Sequence, residues 1–432
     1  MTGQKVLSLI LVTTVLSVHS VLEASAFLPQ QYRTIYTSDD VTSSALFMAK
    51  AAKKKKKKPS GGGGLKGFGS PVSKDSSGAM SNIELDRSVD ALAFYDFLES
   101  NDAGDNLKRC GLGFFPLENG MKLRGVVALK TIKKGDVIIR IPYELAANLG
   151  QEGADPTIPA QAFLKDYCDV LGDSPGEGDM ARKSYYKMLP PYRGDDCLGS
   201  TDFFSDETLE ALQSPTIVEE TLKRRDLTKL RFERDIESED SPDFPTWIDG
   251  TPVTVDHLQW AVWLITSRVL TVQGAESDNK SYRLLIPFLD MCNHDRSSPH
   301  ILTGRAAPGR ELKVVAGATV KEGEQINICY GGGQAGNDRF LQDYGFLDTG
   351  VDGKAYTMVA QQLLGKRRMV EGVSAGKLLS KADQDRTLDS LRSTAIEADK
   401  KLLEDTDDPA LKTSINYRLG VKQALSKFIV LQ

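Results

Sequence analysis

The stretch that decides the fold is Ile286-Pro287-Phe288-Leu289-Asp290-Met291-Cys292-Asn293-His294, together with Ile326-Asn327-Ile328-Cys329-Tyr330 further along the chain. The first stretch is an apolar run that ends in Asp290 and in the pair Asn293-His294. The second has the composition of a short β-strand and ends in Tyr330. Because a buried polar pair is costly unless its groups find partners, the two stretches together are the first candidates for a binding site.

This arrangement resembles that of the SET-domain protein methyltransferases. In that family an Asn-His pair holds S-adenosylmethionine (AdoMet), and a tyrosine attends the methyl transfer. The resemblance implies that Asn293 binds the amino-acid part of AdoMet, that the backbone of His294 contacts adenine, and that Tyr330 is catalytic. Asp290 either faces the same end of the cofactor or caps a helix or turn. A satisfied core pair and a strand-end aromatic that closes the core are the structural alternatives.

Methyl transfer asks for few chemical groups. A sulfonium methyl needs an in-line nucleophile about 3 Å away, with water excluded. A lysine must first lose its proton, and a desolvated channel beside a positive charge lowers its pKa. A tyrosine hydroxyl on a rigid strand can orient the amine without carrying charge.

The segment after Tyr330 carries a second part of the resemblance and one rival interpretation. Asn337 to Phe346 resembles the family's closing helix, so that Tyr344 and Phe346 would line an aromatic lysine channel, although simple packing is the alternative. Gly331, Gly333 and Gly336 also satisfy the spacing G-x-G-x-x-G of a dinucleotide site. No βαβ pattern follows, which favours coincidence.

Further upstream, two strand patterns flank a turn. Arg124–Ala128 and Val137–Pro142 are separated by Lys134-Gly135-Asp136, which predicts a β-hairpin. It resembles the opening hairpin of SET domains, whose preceding loop borders AdoMet, and this makes Arg124 and Gly125 candidate cofactor contacts. The chain departs from the family at Leu123, where a glycine is usual.

From about residue 150 to 280 the pattern becomes helical, and it is helical again after residue 349. Leu258, Val262, Ile265 and Val269 predict an amphipathic helix, and the Arg268 that it carries matches a family arginine that meets the AdoMet carboxylate. The opening helix has apolar residues at Val89, Leu92, Phe94, Phe97 and Leu98. In the last helix we expect an apolar face at Leu411, Ile415, Leu419, Leu425 and Ile429 and polar positions at Lys412, Arg418, Lys422 and Lys427.

The order of these parts resembles the Rubisco large-subunit methyltransferase group of SET proteins. It implies an α+β fold with a β-rich, pseudoknotted SET core over residues 83–348, a helical insertion at about 150–280, and a small all-α substrate-binding-like domain at 349–432. That last domain is shorter than is usual in the group.

Composition limits the other possibilities. The chain has 432 residues, 40% of them hydrophobic and 26% charged, and a net charge of −5, which is typical of a globular protein and disfavours a broad nucleic-acid surface. Five scattered cysteines contain no C-x-x-C pair, so we expect neither a metal site nor a disulfide framework. A reactive cysteine has nothing specific in its favour.

The N-terminus predicts targeting. Lys5 precedes an apolar run at 6–18, and Ala24-Ser25-Ala26-Phe27 follows. This pattern is typical of a signal peptide and resembles the bipartite plastid presequence of diatoms, with a Ser- and Thr-rich transit peptide to about residue 48. Residues 49–82, with Lys53–Lys58 and Gly61–Gly64, predict a flexible linker rather than a nuclear-localisation or nucleic-acid patch.

We therefore expect an AdoMet-dependent methyltransferase of protein lysine in the plastid stroma, with a protein substrate such as the Rubisco large subunit, no nucleic-acid partner, and no membrane association once mature. The alternatives are a protein-histidine methyltransferase and a non-catalytic SET-fold adaptor, and for localisation, secretion or the endomembrane lumen. The sequence leaves the oligomeric state open.

Overall fold

The computed structural model describes residues 34–35, 83–116, 122–153, 155–172, 182–193, 199–237, 244–350, 352–366 and 379–429. Apart from Thr34–Ile35, the predicted presequence (1–48) and linker (49–82) lie outside these residues, so both stay predictions.

Short strands form three sheets around the central part of the chain. The strands are β1 Thr34–Ile35, β2 Glu84–Leu85, β3 Cys110–Pro116, β4 Lys122–Ala128, β5 Val137–Pro142, β6 Ala147–Gln151, β7 Leu270–Gln273, β8 Ser281–Leu285, β9 Ile301–Thr303, β10 Glu311–Val315 and β11 Gln325–Ile326. Their orders are β1-β7-β8-β6, β5-β10-β9 and β11-β4-β3-β2. The pairs are antiparallel except for β1 beside β7.

Most of the helices lie in the insertion and in the C-terminal part. They are α1 Val89–Ser100, α2 Thr157–Leu171, α3 Lys183–Tyr186, α4 Asp206–Glu210, α5 Pro215–Asp235, α6 Val255–Arg268, α7 Asn337–Arg339, α8 Lys354–Leu363, α9 Lys381–Arg392, α10 Ile396–Asp405 and α11 Pro409–Ile429. None of the helices in the described ranges is long and apolar enough to cross a bilayer.

The predicted hairpin between β4 and β5 is wrong. Strand β4 pairs with the preceding β3 and with β11, whereas β5 pairs with β10 in another sheet. The segment between β4 and β5 does not close a hairpin because it pairs with a later part of the chain. Ile132 bridges to Val320, and the Gly135 backbone N–H donates to Ala316 O at 2.7 Å. The Lys-Gly-Asp turn therefore carries the chain from one sheet to the next.

Helix α6 buries the predicted residues Leu258, Val262 and Ile265 and several others besides. Side chains are buried on nearly every side of it, at Leu258, Trp260, Ala261, Val262, Trp263, Leu264 and Ile265. It packs on α2, and Phe163 and Tyr167 from that helix contact Trp260. Asp256, at the start of the helix, is 57% exposed, whereas most of the later residues lie in the core. Helix α6 therefore delivers Arg268 from that core to the site described below.

Two further burial predictions need correction. In α1 the buried residues are Ala91, Phe94, Phe97 and Leu98, whereas Val89 is 83% and Leu92 49% exposed. In α11, Arg418 and Lys422 are buried because both bind the buried Asp399, at 2.8 and 2.6 Å. Long cationic side chains can lie inside a protein when a carboxylate pairs with them, which hydrophobic periodicity does not detect.

The hydrophobic residues form a main core and a second core. The main core joins the sheets to α1, α2 and α6. The second core combines the C-terminal helices with side chains from the insertion, namely Phe204, Leu209, Leu212 and Ile217, and with Leu341 and Leu347. The predicted fold class, α+β with a β-rich core, a helical insertion and a helical C-terminal region, is confirmed.

Candidate functional site

A strained turn changes the direction of the chain just before the pair Asn293-His294. Phe288 is fully buried with φ +67° and ψ −40°, and the Leu289 backbone N–H donates to Pro287 O at 2.8 Å. These values define a γ-turn of the rare type that bulky residues avoid. The turn interrupts the run that follows β8, so that Asp290 and Asn293 come to face different neighbours.

Asp290 faces Arg268 at the end of α6. The Arg268 guanidinium donates to both the backbone oxygen and a carboxylate oxygen of Asp290, each at 3.2 Å. The Asp290 side chain is fully buried, and burial raises the pKa of its carboxyl even though Arg268 opposes that shift. Burial, followed by the nearby Asp290 charge, raises the pKa of Tyr185 as well. The acid thus holds the guanidinium rather than capping a helix.

Asn293 lies against strand β4. Its side-chain amide donates to the backbone oxygen of Arg124 at 3.0 Å. A Cβ atom placed on Gly125 would lie 2.5 Å from Asn293 Nδ2 and 2.5 Å from Gln325 Nε2. Real Cβ atoms do not make contacts that close, so any other residue here would force both amides to move. Gly125 therefore provides a gap over which two amides meet.

The side chain of Arg124 points elsewhere. It donates to the backbone oxygen of Met188 and lies 3.8 Å from the carboxylate of Asp86. Burial, and then repulsion from Arg268, lowers its pKa. Arg124 thus meets Asn293 through its backbone carbonyl, while its guanidinium ties β4 to the insertion.

His294 and Tyr330 are joined by the backbone. Residue 294 bridges in parallel to Ile328, and the Ile328 N–H donates to Asn293 O at 2.9 Å. The Tyr330 N–H donates to His294 Nδ1 at 3.0 Å, and the Tyr330 hydroxyl donates to Cys292 O at 2.6 Å. The two stretches quoted at the outset therefore form one hydrogen-bonded unit.

Aromatic side chains pack around the ring of Tyr330. The Tyr344 ring stacks on it at 5.1 Å and 30°, and the Phe346 ring lies 6.5 Å away at 65°. Phe340 contacts both Tyr344 and Phe346. The pieces of chain on either side of the glycine run thus come together as an aromatic wall.

The glycine run is a turn rather than a phosphate loop. Gly331, Gly332 and Gly333 all have positive φ, at 60°, 57° and 74°, which non-glycine residues rarely adopt. The helix that follows, α7, has three residues, and the preceding β11 is antiparallel to β4. A dinucleotide site requires a parallel βαβ unit with a full helix at the phosphate, so this rival interpretation is wrong.

A buried ion pair, absent from the sequence prediction, fastens this turn. Arg296 donates to Asp348 at 2.6 Å, to Gly333 O at 2.6 Å and to Ala335 O at 2.6 Å. His294 Nε2 also lies 3.5 Å from Asp348. Burial alone would raise the pKa of the Asp348 carboxyl, but hydrogen bonds from His294 and Arg296 outweigh it and hold that pKa below its usual range.

Comparison with known families identifies this arrangement. The model of the SET domain family matches residues 123–331, a range that includes Gly125, Arg268, Asn293 and Tyr330. The chain contains a SET domain. Tyr344 and Phe346, which lie 13 and 15 residues beyond the end of the match, complete the aromatic wall of that SET domain.

Relatives and solved structures agree with the SET domain. The chain is 27% identical over 251 residues to the chloroplastic ribulose-1,5-bisphosphate carboxylase/oxygenase large subunit N-methyltransferase of Pisum sativum, which covers 55% of this chain and 48% of the relative. It thus spans about half the length of that curated relative. The structure resembles the SET domain of LSMT bound to lysine and AdoHcy (TM-score 0.53, 19% identity) and Rubisco LSMT bound to AdoMet (0.51, 19%), each covering 80% of this chain and 91% of the other. These structural likenesses show the fold.

The sequence-predicted residues form two neighbouring groups around the SET domain's strand pair. The first group is joined by hydrogen bonds, by ring contacts and by the close approach of the Asn293 amide to Gly125, and it consists of Gly125, Asn293, His294, Tyr330, Tyr344 and Phe346. The second group is the pair of Arg268 and Asp290. Sequence reasoning missed Arg296, Asp348, Tyr185 and Gln325. Arg296 could have been suspected because it stands two residues after His294, whereas nothing local marks the others. Among the described residues no group of three or more His, Cys, Asp or Glu side chains could hold a metal ion.

Proposed function

We propose that the chain is an AdoMet-dependent protein N-methyltransferase that acts on lysine. The observation that carries this proposal is the hydrogen-bonded unit of Asn293, His294 and Tyr330, with Tyr344 stacked on the tyrosine ring. A merely structural strand end would need no such combination of an amide over a glycine gap, a held phenol and an aromatic wall.

The residues fit the cofactor that SET domains use. Gly125 leaves a gap that any Cβ would fill, and Asn293 and Gln325 border it with polar amides. Arg268 and the backbone of His294 complete the proposed cofactor-binding set, with Arg124, Gly125 and Asp290 around them. When bound, AdoMet supplies a methyl group on a positively charged sulfonium. The chain's own contribution is to hold that group and to keep water away.

Tyr330 is proposed to orient the amine. Its hydroxyl proton is donated to Cys292 O at 2.6 Å, so the lone pairs of the phenol oxygen remain available to accept an N–H of the nucleophile. Tyr344 and Phe346 give the amine an apolar, π-rich wall, which stabilises a cation on entry and removes water from the neutral amine. The nitrogen lone pair is then free for in-line attack.

A plastid stromal protein is the proposed substrate. Support comes from the N-terminal pattern and from similarity to a chloroplastic enzyme whose name gives the Rubisco large subunit as its substrate. The Rubisco large subunit and other stromal enzymes are therefore the first proteins to test. Import of a fluorescent protein fused to residues 1–82 tests the compartment, and fluorescence in the secretory pathway instead would contradict it.

The activity is tested with the full chain, methyl-labelled AdoMet and stromal protein. We expect label in one or a few stromal proteins, and loss of most of that label for Tyr330→Phe. Tyr282→Phe is a matched control, because Tyr282 donates to Asp278 at 2.7 Å outside the site, and it should keep the wild-type rate. Stable capture of a stromal protein with no label transferred would instead indicate an adaptor.

A further inference from the structure

The side chain of Arg296 joins several parts of the chain behind the aromatic wall. Its Nε donates to Asp348, its Nη1 to Gly333 O and its Nη2 to Ala335 O, each at 2.6 Å. The guanidinium carbon also lies 5.4 Å from the centre of the Phe340 ring. Because the side chain is only 11% exposed, water competes little for these contacts.

The turn that Arg296 holds has little stiffness of its own. Gly331, Gly332 and Gly333 all have positive φ, and glycine gives up more conformational freedom on folding than any other residue. This run follows directly after Tyr330, so its path decides where the next part of the aromatic wall lies. Two of the three Arg296 hydrogen bonds end on the far side of the turn and fix that path.

Arg296 also holds the ring on which Tyr344 packs. Phe340 is fully buried, and its ring centre lies 5.6 Å from that of Tyr344 and 4.7 Å from that of His294. A guanidinium over an aromatic ring is attracted to it. The same side chain therefore restrains the turn that leaves Tyr330 and the ring beside Tyr344.

We propose that Arg296 is a positioning residue that sets the separation of Tyr330 and the Tyr344 ring, and with it the place where the substrate amine is held. This inference rests on the proposed function and adds to it a residue that acts through others. A misplacement of about 1 Å can cost about 100-fold in rate. The proposed AdoMet contacts Gly125 and Arg268 lie on β4 and α6, so loss of the restraint should lower kcat far more than it lowers AdoMet affinity.

Arg296→Lys separates this restraint from the charge. A lysine ammonium can still pair with Asp348, but it lacks the planar fork that reaches two carbonyls and a carboxylate at once. With the full chain, methyl-labelled AdoMet and stromal protein, we expect kcat per bound AdoMet to fall at least about tenfold. The dissociation constant of AdoMet, measured by calorimetric titration, should stay within about twofold, and the melting temperature within a few degrees.

Arg231→Lys is the matched control. The Arg231 side chain is 14% exposed and pairs with Asp155 at 2.7 Å and with Asp235 at 2.8 Å, all within the insertion. The control thus makes the same exchange in a similarly buried ion pair that does not restrain the glycine turn. It should keep the wild-type kcat.

A wild-type kcat in Arg296→Lys would overturn the proposal. So would a fall in kcat that comes with an equal loss of AdoMet affinity or with loss of folded protein, because the residue would then act on the fold alone. If the wild-type chain transfers no methyl group, the proposed function itself is contradicted before any variant is measured.

Discussion

At the scale of single residues, the site depends on the absence of a Cβ at Gly125 as well as on the side chains around it. Gly125 provides room because it has no Cβ, and Asn293 and Gln325 use that room. Tyr330 is held at its backbone by His294 and at its hydroxyl by Cys292, so its ring has little freedom.

Replacing Gly125 by alanine tests the gap. The new methyl would lie 2.5 Å from two amide nitrogens, and overpacking of this kind costs about 1–3 kcal/mol. We expect AdoMet affinity to fall at least about fivefold, because Asn293 and Gln325 must move. Gly153→Ala is the matched control, since a Cβ there meets nothing within 4 Å. Unchanged AdoMet affinity in Gly125→Ala, measured by titration, would show that the gap is not part of the site.

The ion pair of Asp348 predicts a pH dependence. Its folded-state pKa is lowered, so the pairing stabilises the fold above the unfolded-state pKa of about 3.9 and is lost as the pH falls below it. Wild type should be more stable than Asp348→Asn at about pH 5 and above. That difference in unfolding free energy should shrink from pH 4 downward. Denaturant titrations across this range measure it, and a difference that grows on acidification would refute the assignment.

At the scale of elements, the insertion holds the aromatic wall in place. Arg224, on α5, binds Asp202 at 2.8 Å, Asp343 at 3.3 Å and Gln342 O at 2.7 Å. The last two belong to the π-helical turn Phe340–Tyr344, which ends in the ring that stacks on Tyr330. We therefore expect Arg224 to position Tyr344 from outside the site.

Arg224→Met should weaken both the fold and the reaction. Removing one member of a buried charge group costs about 3 kcal/mol, and a displaced Tyr344 should lower kcat more than it changes AdoMet affinity. Arg224→Lys keeps the charge and should recover part of kcat. Lys229→Met, an exposed change on the same helix, should alter neither. A variant that loses stability while keeping kcat would limit Arg224 to a structural role.

The sequence predicted the positions of the strands better than it predicted which strands pair. Strands β4 and β5 lie where the apolar runs are, yet the hairpin between them was wrong because pairing depends on residues far along the chain, such as Val320 and Glu311. The site residues Asn293 and Tyr330 were found because local motifs carry them. Gln325 and Asp348 were not, since their significance appears only when β11 meets β4 and when residue 348 returns to His294.

At the scale of the whole molecule, the second core crosses the predicted domain limit. Leu209, Leu212 and Ile217 from the insertion pack with C-terminal side chains such as Val421 and Leu425. The Arg418 guanidinium also donates to Ala211 O at 2.8 Å. The C-terminal helices thus cover an apolar surface of the insertion. The domain limits 83–348 and 349–432 stay a prediction, and they do not separate two hydrophobic cores.

Truncation tests this shared core. Removing residues 349–432 should expose the apolar side chains of α4 and the start of α5, so the remainder should aggregate or melt at least several degrees lower than the full chain. Circular dichroism during heating measures the change. A truncated protein that melts like the full chain would contradict a shared core.

The central claim is that Tyr330 directs a methyl group to a protein lysine, and peptide mass spectrometry tests it most directly. Stromal protein is incubated with the full chain and AdoMet that carries a deuterated methyl group, and the labelled residue is located. We predict labelled methyl-lysine with the wild type. The rate at which it forms should fall at least about 100-fold in Tyr330→Phe, as for the loss of one transition-state hydrogen bond. Label on histidine alone, or label on lysine that is unaffected by Tyr330→Phe, would contradict the account.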